Sequence, residues 1–252
     1  MAARVAALRG HSVLLLERDH EVGGQLRWAR MAPGREGIGA VADQLLASIT
    51  RLGVTLRLGV KANVQSIRAL QPNAVIVATG YDPVLPILMD EYDRLISVQA
   101  AFDGALIGEA AVVFDLRGDI IGATTADWLA QSGRKTWLIT PHRCAGHRVE
   151  PMTWRALHAR LLAKGVSIIE NHGVVRLTDR GIDIIDVVCG RERSLQDVVT
   201  VVCSTAGQGR NALFRDLKAD SPGIALSLVG DAVAPRDIEK AIYEGHLAAR
   251  GI

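Results

Sequence analysis

Aromatic residues are scarce in this sequence: four Trp, three Tyr and three Phe make up 4% of 252 residues. That argues weakly against a protein that stacks sugars or bases. Cysteine is scarcer still. Cys144, Cys189 and Cys203 lie far apart and form no C-x-x-C pair, so neither a zinc site nor a disulfide framework is indicated. Thiols used this way suit a reducing cytoplasm. No uninterrupted apolar run approaches the length of a membrane span, so no membrane association is expected. The opening MAARVAALRGHSVLLLERD has the outline of a secretion signal. Arg4, Arg9 and His11 break its apolar run, however, and LLLE ends in a charge, so it reads as mature sequence. An excess of charge is lacking too. Lys and Arg number 29 against 27 Asp and Glu, and the basic residues are scattered, which argues against nucleic acid as a partner. There is no low-complexity segment.

What is present is length for one large domain or two modest ones, and an alternation of short β-branched runs with amphipathic stretches. Residues 2–9 predict a helix that Gly10 stops, and SVLLLE at 12–17 a buried strand. Residues 37–52 predict a helix ended by Gly53, VTLRL at 54–58 a strand, and AVIVATG at 74–80 an apolar strand entering a glycine turn. Tyr81 to about Phe102 is less regular, holds Pro83 and Pro86, and reads as a crossing between lobes. A second unit follows: strand 110–115, helix 123–133 and strand 135–140 make one βαβ unit. Helix 153–164, a strand at VSIIE, and several strands over 173–203 come next. IALSLVGD and a helix over 235–250 return to the earlier style. The fold class expected is α/β, with two Rossmann-like dinucleotide-binding lobes. The expected division is 1–83 with 208–252 as the first lobe, 84–108 as the crossing segment, and 109–207 as the inserted lobe.

Three segments carry chemistry. RGHSVLLLER followed by EVGGQL places Glu17 and Arg18 at a strand end, where a carboxylate can accept hydrogen bonds from ribose hydroxyls. Gly23 and Gly24 ahead of Gln25 let backbone pass close to a ligand. VIVATG delivers Ala78, Thr79 and Gly80 at the end of an apolar strand. In VGDAVAPRDIEKAIYEGHLAA, Gly230 and Asp231 stand between a strand and a helix, where amides can face a phosphate and the carboxylate can hold a hydroxyl. Each alone is matched by a bland reading as an ordinary turn or cap; the order and spacing of all three change the balance.

Those segments resemble the two-dinucleotide-fold flavoproteins of the glutathione reductase type. More narrowly, AARVAALRGHSVLLLER, GGQL, ATG, WLITP and the GD-x-VAPR-x-I-x-x-A-I-x-E-G stretch resemble the C-terminal region of the trimethylamine dehydrogenase / 2,4-dienoyl-CoA reductase family. The resemblance covers essentially the whole chain. It implies FAD, or ADP in its place, held by the residues named above. It also implies an N-terminal barrel with FMN and a 4Fe-4S cluster, in cis or as a separate subunit, acting on an N-methylated amine or an enoyl substrate. No catalytic residue and no metal ligand falls to this chain on that reading. The alternatives are a non-catalytic ADP-binding structural module and a non-functional fragment. A homo-oligomer is left open.

Two departures matter. In the family, a strand and a G-x-G-x-x-G turn precede the helix at residues 2–10, and neither lies in this sequence. That strand belongs between strand 12–17 and strand 74–77, so unpaired edges and poor FAD binding by this chain alone are expected. In the second unit the turn after the strand reads Asp115-Leu116-Arg117-Gly118-Asp119-Ile120-Ile121-Gly122, with Asp115 near the first glycine's place. Two carboxylates beside a pyrophosphate repel it unless Arg117 offsets them. The next strand ends in Thr140-Pro141 rather than an acid. NAD(P)H binding is therefore doubted. His142 and His147 flank Cys144 without further ligands, which favours a loop over a metal site.

Overall fold

The computed structural model describes residues 1–86, 94–220 and 223–252. In chain order it opens with α1 (Ala2–Leu8), β1 (Leu14–Leu16), α2 (Gln25–Ala29), α3 (Ala40–Arg51), β2 (Thr55–Arg57), α4 (Val64–Ala69), β3 (Ala74–Val77) and β4 (Tyr81–Pro83). Next come β5 (Leu95–Ser97), α5 (Val98–Phe102), β6 (Ala110–Asp115), α6 (Ile120–Gln131), β7 (Lys135–Ile139), α7 (Pro151–Ala163) and β8 (Ser167–Ile169). The chain ends with β9 (His172–Thr178), β10 (Gly181–Asp186), β11 (Glu192–Gln196), β12 (Thr200–Ser204), β13 (Gly207–Gly209), α8 (Ala212–Asp220), β14 (Ala225–Leu228) and α9 (Ile238–Arg250). Among the described residues no helix is long and apolar enough to cross a membrane.

The chain divides into two compact units. Unit 1 holds Met1–Leu26, Ile38–Asp82 and Gly207–Ile252; unit 2 holds Arg27–Gly37 and Pro83–Ala206. Residues 27–37, assigned to the first lobe in the sequence reading, thus group with unit 2.

Unit 2 is built on a five-stranded parallel sheet ordered β5-β12-β6-β7-β8. Its central strand AAVVFD is buried along its whole length, as expected of a parallel strand covered on both faces. One face packs Val113, Leu129, Leu138 and Leu161; the other packs Val112, Ile139, Ile182 and Val201. Each such fully buried aliphatic side chain contributes roughly 1.5–3 kcal/mol. Trp28, Trp128 and Trp154 edge the first cluster and Trp137 joins the second. The strands expected over 173–203 separate into two sheets: β9, β10 and β11 form an antiparallel meander, whereas β12 inserts into the parallel sheet. Residues 95–102, read as part of the crossing, are β5 and α5. Ser97 caps that helix by accepting the Ala100 amide at 3.0 Å. Residues 87–93 of the crossing lie outside the described residues.

Unit 1 is less continuous. β1 pairs in parallel with β2, and β3 with β14, but among the described residues no ladder joins the two pairs. Val13 beside β1 and Ile76 in β3 nevertheless meet one apolar cluster built on Val5, Ala6 and Ala249 of α1 and α9. Strand β1 is three leucines, yet all three are only half-buried. Among the largest fully buried side chains, Leu217 alone belongs to unit 1. Among the described residues, unit 1 thus holds two separate parallel pairs rather than one continuous sheet.

Candidate functional site

The proposed residues of unit 1 sit beyond the C-terminal ends of its parallel strands. Glu17 follows β1. Its amide donates to Arg57 O at 2.9 Å, and its carboxylate accepts the Asp19 amide at 2.9 Å. Arg18 is exposed and pairs with Asp19 at 3.2 Å. Gly23 and Gly24 adopt φ of 118° and 51°, a region where residues with a Cβ are strained. A Cβ on Gly24 would meet nothing within 4 Å, so the backbone there is open to close approach.

Gln25 and Asp231, 206 residues apart, are in direct contact, with the Gln25 amide donating to Asp231 Oδ2 at 2.5 Å. Asp231 Oδ1 accepts the Arg236 amide at 2.9 Å. Gly230, at φ 65°, gives its amide to Glu244 Oε2 at 2.8 Å, and Glu244 also holds the Arg236 guanidinium at 2.8 Å. The interactions with Arg236, together with the Gly230 amide, hold the Glu244 carboxyl below its usual range, against the opposing and largest effect of burial. Ala78 and Thr79 are exposed past β3, and Gly80 turns the chain at φ 74°.

Gln25, Thr79, Gly80, Gly230 and Asp231 are thus brought to one edge of unit 1. Thr79 and Gly80 are tied to Arg210, and Gly209 abuts the carbonyls of Asp231 and Ala232. Glu17 and Arg18 are tied instead to the loops at 19 and 57–60. Sequence reasoning missed Arg210, Arg236 and Glu244. The pattern Gly207-x-Gly209-Arg210 after an apolar strand was the available signal for the first of them.

In unit 2 several amides of the turn between β6 and α6 are already bonded within the chain. Asp115 is fully buried, and its Oδ1 accepts the amides of Arg117 at 3.1 Å and Gly118 at 3.0 Å. Asp119 caps α6 by accepting the Ile121 amide at 3.0 Å, and it neutralises Arg117 across 2.6 Å. This cap starts α6 three residues before the helix expected from the sequence. The Asp115 side chain fills the space beside Gly122, and the His147 ring fills the space beside Gly118. The His142 ring lies tilted against His147, with ring centres 4.3 Å apart, and contacts Leu116 O at 3.1 Å, so this loop packs on the turn. Among the described residues no group of three or more His, Cys, Asp or Glu could hold a metal ion.

Burial pushes the Asp115 pKa up, and the Gly118 and Arg117 amides only partly offset it. A carboxyl whose folded pKa is raised binds protons more tightly when folded, so it destabilises the fold increasingly as pH rises above its unfolded value. Asp115→Asn keeps the acceptor oxygen and removes that charge. It is expected to raise the melting temperature by a few degrees at neutral pH, with the gain fading toward about pH 4, the ordinary carboxylate value. Melting curves at a series of pH values check this; a gain independent of pH would show that Asp115 is not the titrating group.

With this geometry in hand, comparison with known proteins is informative. An NADH oxidase of Thermoanaerobacter brockii is 30% identical over 255 residues, spanning 98% of this chain and 38% of that protein. An N,N-dimethylglycine/sarcosine dehydrogenase of Chromohalobacter salexigens is 28% identical over 286 residues, spanning 96% of this chain and 41% of its own length. The structure of histamine dehydrogenase from Rhizobium sp. 4-9 superposes on all of this chain with a TM-score of 0.91 at 26% identity, using 42% of that chain. Over nearly its whole length the chain is similar to one region of these oxidoreductases, in line with its resemblance to the C-terminal region of the trimethylamine dehydrogenase / 2,4-dienoyl-CoA reductase family. It spans about two fifths of the length of the curated relatives it matches. The T. acidophilum thioredoxin reductase, at 18% identity and a TM-score of 0.73, matches 99% of this chain and 92% of its own, and so shares the fold of this family region. No protein-family model matches the chain.

Proposed function

We propose that this chain is the nucleotide-holding part of a larger flavin-dependent oxidoreductase, and that unit 1 binds FAD, or ADP in its place. The observation that carries the reading is the convergence of Gln25, Thr79, Gly80 and Asp231 on one edge of unit 1, beside glycines with left-handed backbone. The donor set fits a dinucleotide. Glu17 can accept ribose hydroxyls, Gly23 and Gly24 admit close backbone approach, and Asp231 can accept a ribityl hydroxyl. Bound FAD would supply electron transfer; ADP would supply none. The residues of this chain bind and orient the nucleotide.

On this reading the substrate chemistry belongs to an N-terminal barrel with FMN and a 4Fe-4S cluster, outside the 252 residues. The substrate class is an N-methylated amine or an enoyl compound. The names of the dimethylglycine/sarcosine and histamine dehydrogenases favour the amine. The doubt about NAD(P)H in unit 2 is supported by Asp115 and Asp119, which take the amides of residues 117, 118 and 121.

The ADP-only form, a structural module without redox turnover, has one observation in its favour: the Gly230 amide and both Asp231 oxygens already have partners within the chain. Competition dialysis separates the forms. The reading expects ADP to displace FAD one for one, because both use the Glu17 end. FAD bound but indifferent to ADP would place the two in different sites and contradict it. ADP uptake without FAD uptake would leave only the structural module.

A further inference from the structure

Resting on the nucleotide reading of unit 1, we propose that Arg210 is the positioning residue of that site, setting Thr79 and Gly80 against Gly230 and Asp231. Strand β3 ends at Val77, so its ladder does not hold the turn that follows. The pairing of β4 with β13 and the bonds of Arg210 hold it instead. The Arg210 amide donates to Gly80 O at 2.8 Å, and its carbonyl accepts the Thr79 hydroxyl. Its Nη1 reaches Thr79 O at 3.4 Å, and its Nε and Nη2 both reach Asp82 Oδ1 at 2.6 Å.

The same strand also touches the other half of the site. A Cβ on Gly209 would lie 2.4 Å from Ala232 O and 3.0 Å from Asp231 O, and one on Gly207 would lie 1.9 Å from the Tyr81 ring. Residues 207–210 are therefore wedged between the 79–82 turn and the 230–232 turn. Only glycine fits at 207 and 209, and the guanidinium ties this strand to the 79–82 turn. A planar guanidinium can hold two acceptors in different directions at once; a lysine ammonium offers a single point of charge and does not reproduce that geometry.

The site's two ends respond differently. Glu17, at the end assigned to adenosine, is not bonded to this clamp; Thr79 and Gly80 are, and Gly209 next to Arg210 abuts the main-chain oxygen of Asp231, the residue assigned to the ribityl chain. Arg210→Ala is expected to raise the dissociation constant for FAD about tenfold, and to leave that for ADP within about twofold. Arg210→Lys should fail to rescue it, and Asp82→Asn, which keeps Arg210, should fall between.

Hydrogen exchange on the 252-residue chain, read alongside FAD and ADP titrations of the chain with a strand supplied ahead of α1, tests this. In Arg210→Ala, exchange should quicken in 78–82 and 229–233 while β6 and β7 keep their protection. Unchanged exchange in those two segments overturns the clamp, as does an equal loss of FAD and ADP affinity or full rescue by lysine. If the unaltered chain takes up neither nucleotide, with or without a strand supplied ahead of α1, the nucleotide reading fails and the binding role of Arg210 fails with it. The exchange data then separate that failure from failure of the clamp.

Discussion

Supplying one parallel strand ahead of α1 is expected to stabilise unit 1 by several kcal/mol. Among the described residues β1 and β3 are each paired on one side only, with β2 and β14, so alternate residues of each strand have backbone groups to offer a further strand. Each backbone hydrogen bond made there is worth about 1 kcal/mol net, and the half-buried leucines of β1 add the burial of apolar area at roughly 25 cal/mol per Å². Hydrogen exchange in residues 14–16 and 74–77 should slow, and unit 1 should melt at a higher temperature, while unit 2, whose sheet is already continuous, should be unaffected. Unchanged exchange at both edges would mean that the slot is not strand-shaped.

The second large effect concerns binding in the chain so extended. Glu17→Ala should weaken ADP and FAD together, because both carry the ribose assigned to that carboxylate. Asp231→Ala should weaken FAD while sparing ADP, because only FAD carries the ribityl chain. Hydrogen bonds to a charged group contribute about 1.5–3 kcal/mol, so each loss should be about tenfold to a hundredfold. Isothermal titration with both ligands measures it. Equal losses in both variants would remove the assignment of opposite ends, and no loss in either would remove these two residues from the site.

How far the sequence revealed this arrangement depends on the range of the interactions. The β6–α6–β7 unit was legible because AAVVFD and KTWLI are strongly apolar runs separated by a helical pattern. The start of α6 was misplaced because the Asp119 cap, a local hydrogen bond to Ile121, outweighs the apolar periodicity that suggested residue 123. β5 and α5 were lost inside an irregular stretch, although Ser97 is a good N-cap, because three residues of strand carry too little periodicity to stand out. Likewise α4 depends on the capping box of Asn63 and Ser66 rather than on an apolar stripe.

At the candidate site the glycines at 23, 24, 80 and 230 were legible, since a left-handed turn leaves a residue-type mark. The contact of Gln25 with Asp231 and the clamp of Arg210 on residues 79–82 were not. They join segments 206 and about 130 residues apart, and an arginine on a short strand looks like surface charge until its neighbours are known. The same holds for Asp115: its sequence position announced a poor pyrophosphate turn, but its burial and the loss of the turn's amides come only from packing.

The most direct measurement of the central claim is an absorbance spectrum with nucleotide extraction, made on the 252-residue chain and on the chain with a strand supplied ahead of α1. The account predicts flavin bands and extracted FAD in the extended chain, and little or none in the shorter one. ADP without flavin in the extended chain would restrict unit 1 to the structural role, and no nucleotide in either would contradict nucleotide binding by unit 1 altogether.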